Sequence, residues 1–278
     1  MINFKVFKKD IENQFVQNNI DSSEVNILFC EALNLQRVEL LTKTKISVKE
    51  QKKVLFYAKK RLLGMPIQKI FKKAYFFEYV FFINNNVLCP RPETEILVQE
   101  YLKVAKKEDD ILDLCTGSGC IAITVQKKLA EKFNNSNFVV ASDVSKKALD
   151  VAKKNALKLG ADVKFIRSNM FEKINKKFDV ILSNPPYIKN GDLQTLDIEV
   201  KNYDPLISLD GGEDGLKFYR IIAKNAKNYL KSHGKIFLEI GFDEATQVVE
   251  LLKNNGFDCF VKKDYNNIDR LVIGELLW

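Results

Sequence analysis

The chain has 278 residues, 46% hydrophobic and 29% charged, the balance of a globular protein with room for one large domain and a small one. It holds no apolar run of the roughly 18 residues that cross a bilayer. Its start, Met1-Ile2-Asn3-Phe4-Lys5, runs into mixed charges instead of a signal peptide's apolar core, so a cytoplasmic location is expected. The net charge of +8 is uneven: residues 1–73 carry 15 Lys and Arg against 7 Asp and Glu, and the remainder carries 29 of each. Two readings of that excess stay open, a solvated lysine background or a basic module that docks an acidic or nucleic-acid-associated partner.

Residues 1–73 contain almost no Gly or Pro before Gly64-Met65-Pro66, and apolar residues recur at helical spacing: Val25, Leu28, Phe29 and Ala32, then Val54, Leu55, Ala58 and Leu62. Asp21-Ser22-Ser23-Glu24 and Ser47-Val48-Lys49-Glu50 look like helix starts, the second with capping-box spacing. A small helical bundle is predicted. From Ala74 to Ile83 the chain turns aromatic and β-rich, Asn84-Asn85-Asn86 signals a turn, and Val87-Leu88-Cys89 resumes extended character, which suggests a hairpin.

Beyond it, Ile111–Leu114, Phe138–Ser142, Val163–Ile166, Phe178–Leu182, Lys235–Ile240, Phe257–Val261 and Arg270–Gly274 read as strands. Periodic helical stretches such as Lys146–Leu159 and Leu216–Leu230 separate several of them. That alternation predicts an α/β fold with a mostly parallel sheet, ending in an antiparallel hairpin because only residues 264–269 join the last two strands. The cysteines (Cys30, Cys89, Cys115, Cys120, Cys259) form no CxxC pair, and the single histidine, His233, sits beside Gly234 as if in a turn. This pattern argues against disulfide stapling, a zinc site and histidine-based catalysis.

Two loops carry chemistry. Asp113-Leu114-Cys115-Thr116-Gly117-Ser118-Gly119 leads from a buried strand into a helix, at the carboxyl edge where open α/β sheets bind ligands. Asp113 could face the cationic amino-acid end of a sulfonium cofactor, and Asp143, ending the next strand, could accept from both hydroxyls of a ribose. Those features fit NAD as well as S-adenosylmethionine. Asn184-Pro185-Pro186-Tyr187 ends a later strand and separates the two. Its prolines lack N–H donors and hold the backbone extended with carbonyls free, Asn184 adds an acceptor, and Tyr187 adds an aromatic wall. Together they suit a planar NH₂ group, whose hydrogens are held while its nitrogen is aimed at an activated methyl.

These loops, with Cys89-Pro90-Arg91-Pro92-Glu93-Thr94-Glu95, resemble the HemK/PrmC family of protein-glutamine methyltransferases; Gly211–Leu216 and Asp264–Arg270 resemble its later segments. The resemblance covers nearly the whole chain. It implies an α/β, Rossmann-like class I S-adenosylmethionine-dependent methyltransferase with a mostly parallel seven-stranded sheet and a small N-terminal helical domain. The implied boundaries are 1–73 for a substrate-docking domain, 74–90 for a hairpin linker and 91–278 for the methyltransferase domain. The implied reaction methylates the glutamine amide of the GGQ motif in class-one peptide-chain release factors and leaves S-adenosylhomocysteine, with no metal, membrane or direct nucleic-acid partner expected.

Carried onto this sequence, the cofactor set is Asp113, Cys115, Thr116, Gly117, Ser118, Gly119, Asp143, Asn169, Met170 and Asn184, and the catalytic set is Asn184, Pro185, Pro186 and Tyr187. Three positions depart from the family pattern. Cys115 stands where release-factor enzymes commonly have glycine, Asn169 where an acid is common, and Asn267 where glycine is expected. Cys115 keeps a glutamine methyltransferase of a ribosomal protein in contention. An adenine-specific nucleic-acid methyltransferase would use the same four-residue logic, but residues 74–278 are electrically neutral and no target-recognition domain is visible. An NAD-dependent oxidoreductase leaves Asn184–Tyr187 without a purpose.

Overall fold

The computed structural model describes residues 1–134 and 138–277. Its first elements are β1 (Ile2–Asn3), α1 (Phe4–Gln17), α2 (Glu24–Leu33), α3 (Arg37–Thr42), β2 (Lys45–Ile46), α4 (Val48–Leu62), α5 (Ile67–Phe71), β3 (Lys73–Phe76) and β4 (Tyr79–Phe82). Then come α6 (Glu95–Val104), β5 (Ile111–Leu114), α7 (Cys120–Phe133), β6 (Val139–Asp143), α8 (Lys146–Leu159), β7 (Lys164–Arg167), β8 (Phe178–Ser183) and α9 (Ile198–Tyr203). The last are α10 (Lys217–Tyr229), β9 (Leu230–Glu239), α11 (Ala245–Lys253), β10 (Phe257–Lys263) and β11 (Asp269–Leu276). The chain divides into two compact units, Met1–Lys72 with Ile198–Tyr203, and Lys73–Asp197 with Asp204–Trp278.

The N-terminal unit is helical because its apolar positions follow a helical period and its helix starts are capped. Asn3 accepts from the N–H groups of Lys5 and Val6 at the head of α1. At α4 the Ser47 hydroxyl accepts from Glu50 N while the Glu50 carboxylate accepts from Ser47 N, the predicted reciprocal box. Val25, Leu28, Phe29 and Ala32 are fully buried, as are Val54 and Ala58 to within 2%. Leu55 departs from the predicted stripe: it faces outward, 44% exposed. Arg61, only 4% exposed, is held by Glu24 and by Glu199 of α9, each at 2.6 Å.

The second unit is built on one seven-stranded sheet in the order β10-β11-β9-β8-β5-β6-β7. The strands from β9 to β7 pair in parallel, and β11 runs antiparallel to both β9 and β10. Alternation along each strand feeds two separate cores: Ile111 packs with α6 and α7 residues, whereas Leu112 and Leu114 pack with α10 and α11 residues. Asp113 therefore points to the α7 side.

Three local expectations change. The hairpin is β3–β4 and turns at Phe77-Glu78, where Phe77 takes a left-handed φ of 52° and its N–H donates to Glu95 Oε1 at 2.8 Å. Asn84–Asn86 is a separate turn closed by Val87 N to Asn84 O, and Val87–Cys89 is not a strand. His233 lies inside β9, with φ 58°, in the stretch where pairing with β8 jumps from Leu230 to Lys235. Asn267, by contrast, takes the left-handed φ of 63° that the sequence anticipates. No helix among the described residues is long and apolar enough to cross a membrane.

Arg61 supplies a stability test. Glu24→Ala strips a buried guanidinium of one of its two carboxylates and should cost about 3 kcal/mol in urea unfolding. Lys9→Ala, which breaks a largely exposed pair with Glu12, should cost less than about 1 kcal/mol.

Candidate active site

The loop after β5 is held from beneath. Asp113 has no exposed surface; its Oδ2 accepts from Thr116 Oγ1 at 2.6 Å and from Ala122 N at 3.3 Å, while Oδ1 has no partner among the described residues. Burial pushes this carboxyl up to about 7. Cys115, Gly117 and Gly119 all adopt positive φ, at 59°, 54° and 82°. The two glycines serve different ends. A Cβ on Gly119 would strike Ile123 Cδ1 at 2.9 Å and Ala152 Cβ at 3.1 Å, so its absence is needed for helix packing. A Cβ on Gly117 would meet nothing nearer than Cys115 O at 4.0 Å, so the space above it is open to a ligand.

That space belongs to a cavity in the second unit. Asp143 borders it at the end of β6, accepting from Gly117 N at 2.9 Å and from Ser145 N at 2.8 Å, with its carboxyl raised by burial. Met170 forms another wall with a left-handed φ of 46°, its carbonyl accepting from Ser168 Oγ at 2.8 Å and its sulfur 3.9 Å from Cys115 Sγ. Asn169 lines the cavity too, with Nδ2 donating to Glu172 Oε1 at 2.7 Å. Asn184 and Pro186 reach the same cavity from the loop after β8. Burial raises the Cys115 thiol, so it faces the cavity as an uncharged group.

The Asn184–Tyr187 loop is braced from behind by Gly211–Leu216. A Cβ on Gly211 would lie 2.6 Å from Tyr187 C and Cα, and one on Gly215 would lie 2.6 Å from Tyr187 O. Ile188 N donates to Leu209 O and Gly211 N to Ile188 O, closing the two segments together. Arg91 pairs with buried Asp204 at 3.0 Å, and Cys89 N donates to the same carboxylate, which anchors the start of the segment bearing the cavity residues Pro205 and Ile207.

Comparison with known proteins agrees with this geometry. A family model described as "Methyltransferase small domain" matches residues 92–201. The release factor glutamine methyltransferase of Thermodesulfovibrio yellowstonii is 38% identical over 273 residues, 95% of this chain and 95% of its own. That of Agrobacterium fabrum is 39% identical over 232 residues, 80% of this chain and 78% of its own. The chain belongs to the release factor glutamine methyltransferase family. A solved methyltransferase from Pyrococcus furiosus shares the fold at a TM-score of 0.52 and 20% identity, over 78% of this chain and 96% of that one.

Of the residues that the family resemblance singles out, Cys115, Gly117, Asp143, Asn169, Met170, Asn184 and Pro186 line one cavity. Asp113, Thr116, Ser118, Gly119, Pro185 and Tyr187 do not line it. Asp113, read from the sequence as facing the cofactor's cationic end, braces the loop from the α7 side through Oδ2. Several wall residues were not read from the sequence: Leu88 after the hairpin, Ser168, Pro205, Ile207 and Phe218. The glycines of Gly211–Leu216 were the available signal for that last region. Among the described residues no cluster of His, Cys, Asp or Glu could hold a metal ion.

Two predictions follow from the loop and its acids. Gly117→Ala should cost only about 1 kcal/mol of stability yet weaken S-adenosylmethionine binding at least about tenfold by calorimetry, whereas Gly119→Ala should chiefly lower the thermal midpoint. Asp113, Glu239 and Glu244 are each pushed up to about 7 by burial. Unfolded, they ionise near about 4, so the stability of their neutral forms is complete below that and is lost as pH rises through about 7. The thermal midpoint should therefore fall between about pH 4 and about pH 7, and Asp113→Asn should flatten the fall; a level profile contradicts the assignment.

Proposed function

We propose that this chain transfers a methyl group from S-adenosylmethionine to the side-chain amide nitrogen of the glutamine in the GGQ motif of class-one release factors. The carrying observation is that the glycine loop and the Asn184–Tyr187 loop open onto one cavity, Gly117 and Asp143 on one side and Asn184 and Pro186 on the other. The names of relatives nearly as long as this chain support the acceptor. The cofactor suits the residues present: the room over Gly117 admits its amino-acid end, Asp143 offers carboxylate lone pairs to a ribose, and Met170 and Ile207 are apolar walls for a base.

When bound, the cofactor supplies a methyl already activated by a sulfonium, so the protein's task is alignment. An amide nitrogen is a weak nucleophile because its lone pair is delocalised into the carbonyl. Asn184 Oδ1 and the Pro185 carbonyl would accept its two N–H groups, raising electron density on nitrogen and fixing its plane. Held in that plane, the nitrogen would take the methyl that the bound cofactor supplies and release one N–H proton to solvent. Tyr187, half-buried with its hydroxyl kept protonated by burial, stiffens the loop.

The docking role of residues 1–73 belongs to the same proposal and is supported by their charge of 15 Lys and Arg against 7 acids. Exposed Lys52, Lys53 and Lys59 share α4 with exposed Leu55 and Phe56, a mixed basic and apolar face suited to a protein partner.

The test is transfer of labelled methyl to a release factor. Label should appear on the wild-type factor and vanish when the GGQ glutamine is changed to alanine; label persisting there, or appearing instead on a ribosomal protein or on adenine, overturns the assignment. Asn184→Ala should lower turnover about 100-fold while cofactor affinity stays within about threefold.

A further inference from the structure

A side-chain amide has two ends of nearly equal shape and opposite chemistry: Oδ1 accepts and Nδ2 donates. A site that receives the N–H groups of a substrate amide needs Oδ1 of Asn184 on the substrate side. Something must therefore forbid the flip.

Three side chains meet behind the cavity. Asn184 Nδ2 donates to Thr94 Oγ1 at 3.2 Å, and the Glu239 carboxyl at the end of β9 neighbours both side chains, whose polar groups offset part of the rise that burial imposes on it. Thr94 and Glu239 are each 2% exposed, and Glu239 Oε2 has no partner among the described residues. A buried acid with an unpaired oxygen is costly, and packing alone does not call for one here. Around it stand Glu93 and Arg270, with Tyr187, Tyr219 and Cys120 also within its field.

An ionised carboxylate only accepts. Toward it the Thr94 hydroxyl must turn its single proton, which leaves a lone pair for Asn184. Toward both groups Asn184 can present only N–H. The cluster thus has one self-consistent polarity, running from the amide through the hydroxyl to the acid.

We propose that Glu239 and Thr94 are positioning residues for methyl transfer, a buried relay that locks the Asn184 amide with Oδ1 turned toward the substrate amide. The relay rests on the assignment of a glutamine amide as acceptor. Neutralising the acid removes the constraint, since a protonated carboxyl or a glutamine can donate as well as accept and permits the flipped amide.

The experiment compares Thr94→Val, Thr94→Ser and Glu239→Gln with the wild-type enzyme on an intact release factor, measuring kcat, KM, cofactor affinity by calorimetry and thermal midpoint. Thr94→Val and Glu239→Gln should each lower kcat about tenfold with cofactor affinity and midpoint preserved, and Thr94→Ser should restore kcat to within about twofold of wild type. Burial pushes Glu239 up to about 7, so wild-type kcat should fall as pH drops through that value, and Glu239→Gln should lose this limb. Wild-type kcat in both Thr94→Val and Glu239→Gln overturns the relay, as does a loss of rate matched by an equal loss of cofactor affinity or stability. A wild-type enzyme that labels no glutamine overturns the acceptor assignment instead.

Discussion

A carboxylate with no exposed surface sets the shape of the cofactor loop. Through one oxygen, Asp113 gathers the end of β5, the Thr116 hydroxyl and the first turn of α7. Such a tether is needed because the loop places a cysteine at a left-handed φ of 59°, a conformation that an L side chain resists by about 1–2 kcal/mol. With the loop fixed, Gly117 N–H meets Asp143 on β6, and Ser118 O accepts from buried Asn155 of α8. Asn155 also bonds both backbone groups of Phe82, so β4 and the loop share one side chain as their link. Strand, helix and hairpin thus hold the loop together.

The second loop follows the same economy by other means. Its two prolines offer no N–H to the rest of the protein, which leaves the loop few backbone donors of its own. It is secured from behind, where Gly211 and Gly215 admit the Tyr187 backbone to distances that any Cβ would forbid. Glu244 closes the rear of this packing, accepting from Gly241 N. The acids that burial drives toward neutrality, Asp113, Glu239 and Glu244, all lie beneath these two loops. Their desolvation is a standing cost to stability at neutral pH, concentrated where loop geometry matters to chemistry.

Much of this was legible in the chain because the signals are local. The Ser47–Glu50 box, the apolar strand Ile111–Leu114 and the left-handed Asn267 each depend on a few neighbouring residues. What was not legible depends on distant partners. The hairpin turns at Phe77, which no turn propensity would choose, because Glu95 receives its N–H and because Phe76 and Phe81 are buried on either side. The Asn84–Asn86 signal is real but marks the next turn. Asp113 shows a carboxylate in sequence and not the side of the sheet it points to, so its bracing role emerges only with α7 in place. The cavity walls at Leu88 and Pro205 come from segments far apart in the chain, and no spacing rule links them.

The N-terminal unit is assembled from two stretches, Met1–Lys72 and Ile198–Tyr203. Arg61 depends on both, since Glu24 lies in the first and Glu199 in the second. A fragment cut at residue 72 keeps every helix of the bundle's opening stretch yet leaves a 4%-exposed guanidinium with half of its countercharge. The unit is therefore not a detachable module: the second countercharge of Arg61 is encoded 138 residues downstream.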